Sequence, residues 1–298
     1  MRFKTCAEIQ IRDPFVLPDA NDGIYYLFGS TDPDIWGPGT GFDAYTSKDL
    51  FHWEGPIPVF RPGPDFFSDT NFWAPEVHAY EGRYFMFATF RRKDNGRLGT
   101  AVLAAAQPLG PYKLHSSGPV TPEAWSSLDG TLYVDEQKEP WMVFCHEWQQ
   151  VRDGEICAMR LNHELTHRVE EPKLLFRASQ APWTTSYESS RYPGRNYVTD
   201  GPFLYTGNSG RLYMLWAGFV NNRYALGAAW SESGSVLGPW KQSERPLYSD
   251  DGGHGMLFRT FDGRLMLTLH APNRTPMERP IFLEAEEREE GLVVTGRT

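Results

Sequence analysis

One short pattern recurs five times along this chain and constrains its fold more than any other feature. A polar, usually acidic residue opens an apolar strand, a tight turn follows, and a second, aromatic-rich strand returns. The clearest copy spans residues 129–134 and 141–148. The five openers are Asp13, Glu76, Asp129, Asp200 and His254. They follow one another at roughly 50 to 70 residues, a period typical of propeller blades.

Five such units predict one domain, residues 1–298, built as an all-β five-bladed β-propeller with its active site at one mouth of the central channel. Radial closure removes the exposed sheet edges that so many strands would otherwise present. The 28 glycines and 23 prolines suit a chain rich in turns, and no helical periodicity persists beyond a turn or two. We expect residues 48–53 to form an edge strand of the first blade. The segment before Asp13 is expected to supply the strand that closes the ring.

The innermost strands of a propeller run along its channel, so the residues that open them should converge at one mouth. An antiparallel second strand returns to the same end, and its last residues are Phe90, Glu147, Trp216 and His270 in four of the blades. One Asp before a strand often only caps a turn. Four carboxylates and a histidine in register are different, because buried like charges raise one another's pKa and reduce stability. The pattern therefore predicts a functional site.

Charge and chain composition exclude several classes of partner. The formal net charge is −9 and no run of Lys or Arg is longer than three residues, so we expect no binding to nucleic acid or to anionic membranes. The first residues lack the apolar region of a signal peptide, and no apolar run approaches membrane-spanning length, which predicts a cytoplasmic protein. Three cysteines without CxxC spacing indicate neither a disulfide framework nor a zinc site.

The openers and their neighbours resemble glycoside hydrolase family 43, the five-bladed propeller enzymes that include β-xylosidases, α-L-arabinofuranosidases and arabinanases. The resemblance covers nearly the whole chain. The motifs that carry it include Arg12-Asp13-Pro14, Trp73-Ala74-Pro75-Glu76, Leu128-Asp129-Gly130, Asp200-Gly201-Pro202 and Gly253-His254-Gly255. It implies hydrolysis of a glycosidic bond with inversion at the anomeric carbon, by two carboxyl groups held far enough apart to admit a water molecule.

The resemblance assigns Asp13 as the general base and Asp129 as the residue that orients the general acid and adjusts its pKa. The family acid is a glutamate in a Glu-Gly-Pro motif, but this chain reads Asp200-Gly201-Pro202, one methylene shorter. Three possibilities stay open. In order of preference, Asp200 serves as the acid, Glu147 replaces it, or the protein no longer hydrolyses its ligand.

Sugars present apolar C–H faces ringed by hydroxyl groups, so their pockets combine aromatic platforms with a few polar groups. We expect Trp36, Trp73 and Trp148 to form the platform, with Phe90 and Trp216 behind them. Other substrate-binding residues are predicted to be Glu76, Glu147 and Arg279. The arginine matches a substrate-contacting arginine of the family, and a partly exposed salt bridge is its alternative. The aromatic-rich insert 178–199 is expected to wall the pocket.

His254 matches a histidine that lies beneath the sugar site in this family, often beside calcium or water. Without an EF-hand spacing, a bound Ca²⁺ would be a largely hydrated ion with few protein ligands. A hydrogen-bonded structural histidine is the alternative, and no cofactor is expected to be required.

The predicted function is therefore an exo-acting, inverting glycosidase that releases arabinofuranose or xylose from oligosaccharides derived from plant polysaccharides. One alternative is a carbohydrate-binding propeller without activity, which the aspartate at position 200 favours. A second is a propeller glycoside phosphorylase, which would need Arg12, Arg274 and Arg279 to converge on phosphate.

Overall fold

Twenty strands form five four-stranded antiparallel sheets, each built from consecutive strands, in a computed structural model that describes residues 3 to 297. The strands of blades one and two are β1 (Arg12–Asp19), β2 (Ile24–Ser30), β3 (Phe42–Ser47), β4 (Trp53–Phe60), β5 (Ser68–Tyr80), β6 (Arg83–Arg92), β7 (Leu98–Ala105) and β8 (Lys113–Pro119). Blade three contains β9 (Ser127–Val134), β10 (Pro140–His146), β11 (Glu155–Arg160) and β12 (Lys173–Arg177). Blades four and five contain β13 (Asp200–Thr206), β14 (Leu212–Val220), β15 (Arg223–Ser231), β16 (Trp240–Gln242), β17 (Gly253–Arg259), β18 (Leu265–Ala271), β19 (Arg279–Arg288) and β20 (Gly291–Arg297). The predicted five-bladed propeller is confirmed.

Helical structure is confined to short pieces. The α-helix α1 (Trp148–Val151) follows β10, and 3₁₀ turns cover Cys6–Glu8 and Ala178–Gln180. No helix among the described residues is long and apolar enough to cross a membrane.

Two details of the predicted blades differ from the structure. Residues 48–52 form a turn, and the fourth strand of blade one starts only at Trp53. The segment before Asp13 adds no strand to blade five, because β20 already completes that sheet. Instead, Lys4 forms an isolated bridge with Trp53 of blade one. Ring closure therefore depends on packing between the inner strands β1 and β17 rather than on a borrowed strand.

The same β-bulge interrupts the inner strand of every blade near the mouth of the channel. The pairing register between the first two strands slips at that point, and one residue adopts a left-handed conformation with φ between 46° and 57°. These five residues are Asp13, Ala74, Asp129, Gly201 and His254. Bulges of this kind re-aim side chains at the edge of a sheet. Three of the five openers, Asp13, Asp129 and His254, therefore occupy equivalent positions in their blades, and their side chains meet at the channel.

The remaining two openers are not in register with these three, which corrects the prediction of a single aligned ring. Asp200 directly precedes the bulge residue of its blade, Gly201. Glu76 lies two residues beyond its own, Ala74, and pairs with Phe87 further along the sheet.

The spaces between blades are filled by large apolar side chains. Between blades one and two, Phe90 packs against Phe42 and Phe60 of blade one with ring centroids 5.9 and 6.1 Å apart. In blade four, Trp216 lies 4.6 Å from the ring of Trp183, which belongs to the insert 178–199. This contact anchors the insert on the propeller.

Replacing Trp216 by Ala should lower the free energy of unfolding by about 3–5 kcal/mol, because a fully buried ring is lost and a cavity remains. Urea unfolding of the purified protein would measure it. The matched control is Trp36→Ala, since Trp36 is 60% exposed and a surface substitution should change stability by only about 0.5 kcal/mol. Equal losses in the two variants would contradict this packing.

Candidate active site

A cavity of about 320 Å³ opens where the inner strands begin. Its acidic lining residues are Asp13, Asp129, Glu147 and Asp200, and its basic ones are Arg12, Arg91 and His254. Its aromatic lining residues are Trp36, Trp73, Trp148, Tyr187, Phe219 and Tyr224. The structure thus brings together the three predicted catalytic aspartates, the alternative acid Glu147 and the three tryptophans of the predicted platform.

Asp13 is held by four neighbouring groups. Its Oδ2 accepts a 2.8 Å hydrogen bond from the Ser30 hydroxyl, and its Oδ1 lies 3.2 Å from His254 Nδ1 and 3.6 Å from Arg12 Nε. Its backbone N–H donates to His270 Nδ1 at 3.1 Å. Although burial opposes ionisation, the charges of His254 and Arg12 outweigh it and hold the pKa of Asp13 below its usual value. Asp13 is therefore ionised at neutral pH and can accept a proton.

His254 links Asp13 to Asp129. Its Nδ1 lies 3.5 Å from Asp129 Oδ2, which also accepts the backbone N–H of Gly201 at 3.0 Å. Burial would lower the pKa of His254, but the charges of Asp13 and Asp129 outweigh it, and the net shift is upward. Burial raises the pKa of Asp129 to about 7, against the opposing charge of His254. Asp129 is therefore held between the His254 ring and the Gly201 amide, with a pKa of about 7.

Asp200 belongs to the same network as Asp13. Its Oδ2 accepts a 3.1 Å hydrogen bond from the Tyr224 hydroxyl, and the Arg12 guanidinium lies 5.9 Å from the centre of the Tyr224 ring. Burial raises the pKa of Asp200, and the charges of His254 and Arg12 oppose this rise. Arg12 is itself fixed by Glu278, 3.3 Å from its Nη1. Tyr224, Arg12 and His254 thus partly compensate the charge of Asp200.

Glu147 lies outside that network. It is the N-cap of α1, and its carboxylate accepts the backbone N–H of Gln149 at a long 3.4 Å. The residue is only 5% exposed. Burial, followed by the negative charge of Asp200, raises the pKa of Glu147 to about 8. Glu147 therefore holds a proton at neutral pH.

Two aromatic clusters border these carboxyl groups. Trp36 stands edge-on to Trp73 with ring centroids 4.9 Å apart, and the Trp73 indole N–H donates to the Ile35 carbonyl at 2.6 Å. Trp148 packs edge-on against Tyr187 and Tyr192 of the insert, at 5.7 and 5.3 Å. The insert thus contributes Tyr187 to the cavity wall, as the sequence predicts.

Phe90 and Trp216 do not reach the cavity, which corrects their assignment as substrate-binding residues. Both side chains are 0% exposed. Both residues lie in second strands beside the bulged part of the inner strand, but their rings turn into the space between blades. Strand alternation instead directs the residue after Phe90, Arg91, to the cavity.

Glu76 and Arg279 also lie away from the other predicted residues. Glu76 Oε2 lies 3.2 Å from His78 Nε2 within blade two, two positions beyond the bulge. The Arg279 guanidinium donates to the backbone carbonyls of Ala7, Pro276 and Glu278. Neither residue lines the cavity. The prediction that Glu76 and Arg279 contact the substrate directly is therefore wrong.

Sequence reasoning missed Arg91, Tyr224 and Ser30. Arg91 is fixed by its Nε donating to Asn71 Oδ1 at 2.7 Å. Tyr224 and Ser30 lie within predicted strands, and their hydroxyl groups bond carboxylates from other parts of the chain. The period of two around Phe90 could have identified Arg91, whereas the partners of the two hydroxyl groups depend on tertiary structure.

The residues around His254 do not form a metal centre of several protein ligands. Within residues 3–297, no group of three or more His, Cys, Asp or Glu side chains is arranged to hold a metal ion. The two carboxylates beside Nδ1 favour the protonated ring, and a doubly protonated imidazole has no lone pair for a metal. His254 therefore fits a charge-pairing role better than a ligand role, and hydrated calcium in the channel stays a prediction.

The chain matches a glycosidase family and the folds of known glycosidases. The model of the glycosyl hydrolases family 43 matches residues 7–292. The crystal structure of an endo-arabinase from Bacteroides thetaiotaomicron VPI-5482 is 40% identical, with a TM-score of 0.89 over 97% of this chain and 99% of that chain. An endo-1,4-beta-xylanase from the same organism is 22% identical, with a TM-score of 0.77 over 99% of this chain and 97% of that chain.

An alpha-L-arabinofuranosidase from Lactobacillus brevis is 20% identical, with a TM-score of 0.74 over 98% of this chain and 95% of that chain. At that identity, as for the xylanase, the likeness shows the fold alone. Propeller and site together define a five-bladed β-propeller glycoside hydrolase. The chain belongs to glycoside hydrolase family 43.

Gly201→Ala should disturb this site more than its backbone strain alone explains. Gly201 has φ +51°, and a Cβ there would lie 2.6 Å from ring atoms of His254. A displaced His254 would release Asp13 and Asp129, so we expect hydrolysis to fall by about a hundredfold. Urea unfolding and hydrolysis assays on the same preparations would measure both effects.

Gly210→Ala is the matched control. Gly210 has φ +81°, but nothing lies within 4 Å of an added Cβ. It should cost about 1–2 kcal/mol of stability from backbone strain and leave activity unchanged. Equal activity in the two variants would show that His254 does not depend on Gly201.

Proposed function

We propose that this protein is an inverting, exo-acting glycosidase that releases pentose units, arabinofuranose or xylose, from oligosaccharides derived from plant polysaccharides. One observation carries the proposal. A single cavity contains a carboxylate held ionised, Asp13, together with carboxyl groups whose pKa is raised. Family membership supports hydrolysis of a glycosidic bond as the reaction.

The reaction needs one group to take a proton and another to give one. The ionised Asp13 removes a proton from water while the water oxygen forms a bond to the anomeric carbon. On the opposite face of the sugar, a protonated carboxyl group donates to the leaving oxygen as the old C–O bond breaks, so the anomeric configuration inverts. Asp129 accepts the Gly201 amide beside Asp200. In this proposal it orients the general acid and adjusts the pKa of that acid.

Cavity size and lining support a short sugar. A volume of about 320 Å³ is at the small end of ligand pockets. Trp36, Trp73 and Trp148 offer apolar faces for sugar C–H groups, and Asn273 and Thr275 add polar groups on another loop. The 40% identical endo-arabinase favours arabinose over xylose as the released unit.

Exo action is supported by the loops that enclose the cavity. Ile35 and Trp36 border it on one loop, and Tyr187 and Val198 on the insert. Endo action on arabinan is the second candidate, favoured by the endo-arabinase relative. Exo and endo action would use the same catalytic residues, and they differ in whether the substrate is cleaved at its end or within the chain.

A phosphorylase and an inactive binding protein have less support than a hydrolase. Phosphate binding needs converging basic groups, but Arg274 is exposed and the Arg279 guanidinium is engaged by three backbone carbonyls. An inactive binding protein would need no protonated carboxyl group at position 147. A cytoplasmic location stays a prediction from the sequence.

Digestion of linear 1,5-α-arabino-oligosaccharides and β-1,4-xylo-oligosaccharides should yield monosaccharide from the first minute. Each oligosaccharide should be shortened by one sugar at a time, without an early mixture of other lengths. Proton NMR during the first turnovers should show the product with inverted anomeric configuration. Asp13→Asn should lower activity by about 10²–10⁴-fold, because the base is lost. Asp22→Asn, an exposed turn substitution in the same blade, is the control.

Three results would contradict the proposal in different ways. Early mixed oligomers would establish endo action. Retained configuration would exclude inversion. Binding without turnover of either series would favour the inactive binding protein.

A further inference from the structure

We propose that Glu147, rather than Asp200 at the place of the family's glutamate, is the general acid of this enzyme. The inference rests on the proposed function and names the residue that protonates the leaving oxygen. Four observations support it, from the geometry of the cavity and the charges around each carboxyl group.

Asp200 is poorly placed to give up a proton to substrate. Its Oδ2 is bonded to the Tyr224 hydroxyl at 3.1 Å, on a side chain one methylene shorter than glutamate. Burial raises the pKa of Asp200, but His254 and Arg12, which also pair with Asp13, oppose this rise and favour its ionised form. Acid and base would then share one set of cations, although catalysis needs one group ionised and the other protonated.

Glu147 is free of these cations. Among residues 3–297, its carboxylate has no salt bridge, and its one side-chain hydrogen bond is the 3.4 Å contact from the Gln149 amide. It lines the cavity from blade three, while Asp13 lies on blade one with blade two between them. The two groups therefore belong to different blades of the propeller, and the proposal places them on opposite faces of the bound sugar.

The surroundings of Glu147 favour its protonated form. The titratable and charged groups that face it are Asp200 on β13, Asp129 on β9, Cys145 on β10 and Arg91 on β6. Burial and the two aspartates raise the pKa of Glu147, and Arg91 and the Gln149 amide only partly oppose this. Asp200 thus acts as a positioning residue, since its negative charge helps Glu147 to keep its proton.

The insert 178–199 fixes the acid in place. Glu147 caps α1, and the next residue, Trp148, packs against Tyr187 and Tyr192. The Tyr192 hydroxyl donates to Gln149 Oε1 at 2.8 Å. These contacts hold the start of α1 at the cavity wall.

In the proposed step, Glu147 gives its proton to the glycosidic oxygen as the bond from that oxygen to the anomeric carbon breaks. Asp13 takes a proton from the water whose oxygen forms the new bond. The products leave, and proton exchange with solvent returns Asp13 to its ionised form and Glu147 to its protonated form.

Leaving-group dependence tests this assignment. The substrates are the natural oligosaccharide that wild type cleaves and the 2,4-dinitrophenyl glycoside of the same sugar, whose leaving group needs no protonation. Glu147→Gln should lose about 10²–10⁴-fold in kcat/KM on the oligosaccharide but less than about tenfold on the dinitrophenyl glycoside. At a pH below the alkaline limb of each variant, where Glu147 stays protonated, Asp200→Asn should change both substrates by a similar factor, because Asp200 acts through its charge and does not donate the proton. Glu139→Gln, at the opposite end of blade three, is the matched control.

The pH profile gives a second readout that loss of folding would not move. The alkaline limb of kcat/KM on the oligosaccharide should fall at about pH 8 in wild type and be absent for Glu147→Gln on the dinitrophenyl glycoside. Asp200→Asn should move the limb to lower pH, because the charge that raises the pKa of Glu147 is removed.

The outcomes separate two kinds of failure. Wild type that cleaves neither substrate would overturn the proposed function and this inference with it. The inference alone would be overturned by a different result with active wild type. In that result, Asp200→Asn loses kcat/KM on the oligosaccharide but not on the dinitrophenyl glycoside, while Glu147→Gln loses kcat/KM equally on both.

Discussion

Four carboxyl groups share one cavity, and the rest of the site depends on how their mutual repulsion is relieved. Buried like charges destabilise a fold unless cations pair with them or protons neutralise them. Here Arg12 and His254 stand beside Asp13, so that carboxylate stays ionised. Glu147 forms no salt bridge among the described residues, and Arg91 only partly opposes the rise of its pKa, so it keeps its proton. The electrostatics thus separate a base from an acid within one small volume.

The repeated bulge explains how the fold assembles this arrangement. Each inner strand kinks at the same position, and the bulge residues Asp13, Asp129 and His254 face one another across the channel. At the fourth blade the bulge residue is Gly201, which leaves space for the His254 ring and directs an amide to Asp129. One backbone device, used in every blade, therefore fixes both the base and the groups that set its charge.

The propeller and most of the carboxyl groups could be predicted because a period of 50 to 70 residues and polar strand openers are written locally in the chain. The predictions that were wrong concern the direction in which a side chain points from its strand. Phe90 and Trp216 lie in second strands as expected, but their rings fill the space between blades. Glu76 lies inside β5 rather than at its start, two residues beyond the bulge residue Ala74, because a bulge is not visible in a pattern of residue types. The sequence ranks Asp200 before Glu147 because of the family motif, but it holds no information on their charge partners, which come from other blades.

The division of protonation states between Asp13 and Glu147 is the central claim, and a direct titration tests it most sharply. Protein labelled with ¹³C at glutamate side-chain carboxyl carbons would be followed by NMR from pH 4 to 9, beside Glu147→Gln to assign the signal. We predict one resonance that titrates at about pH 8 and is missing from the variant. If the Glu147 signal instead titrates near 4.5, the ordinary value of a glutamate, the account is wrong.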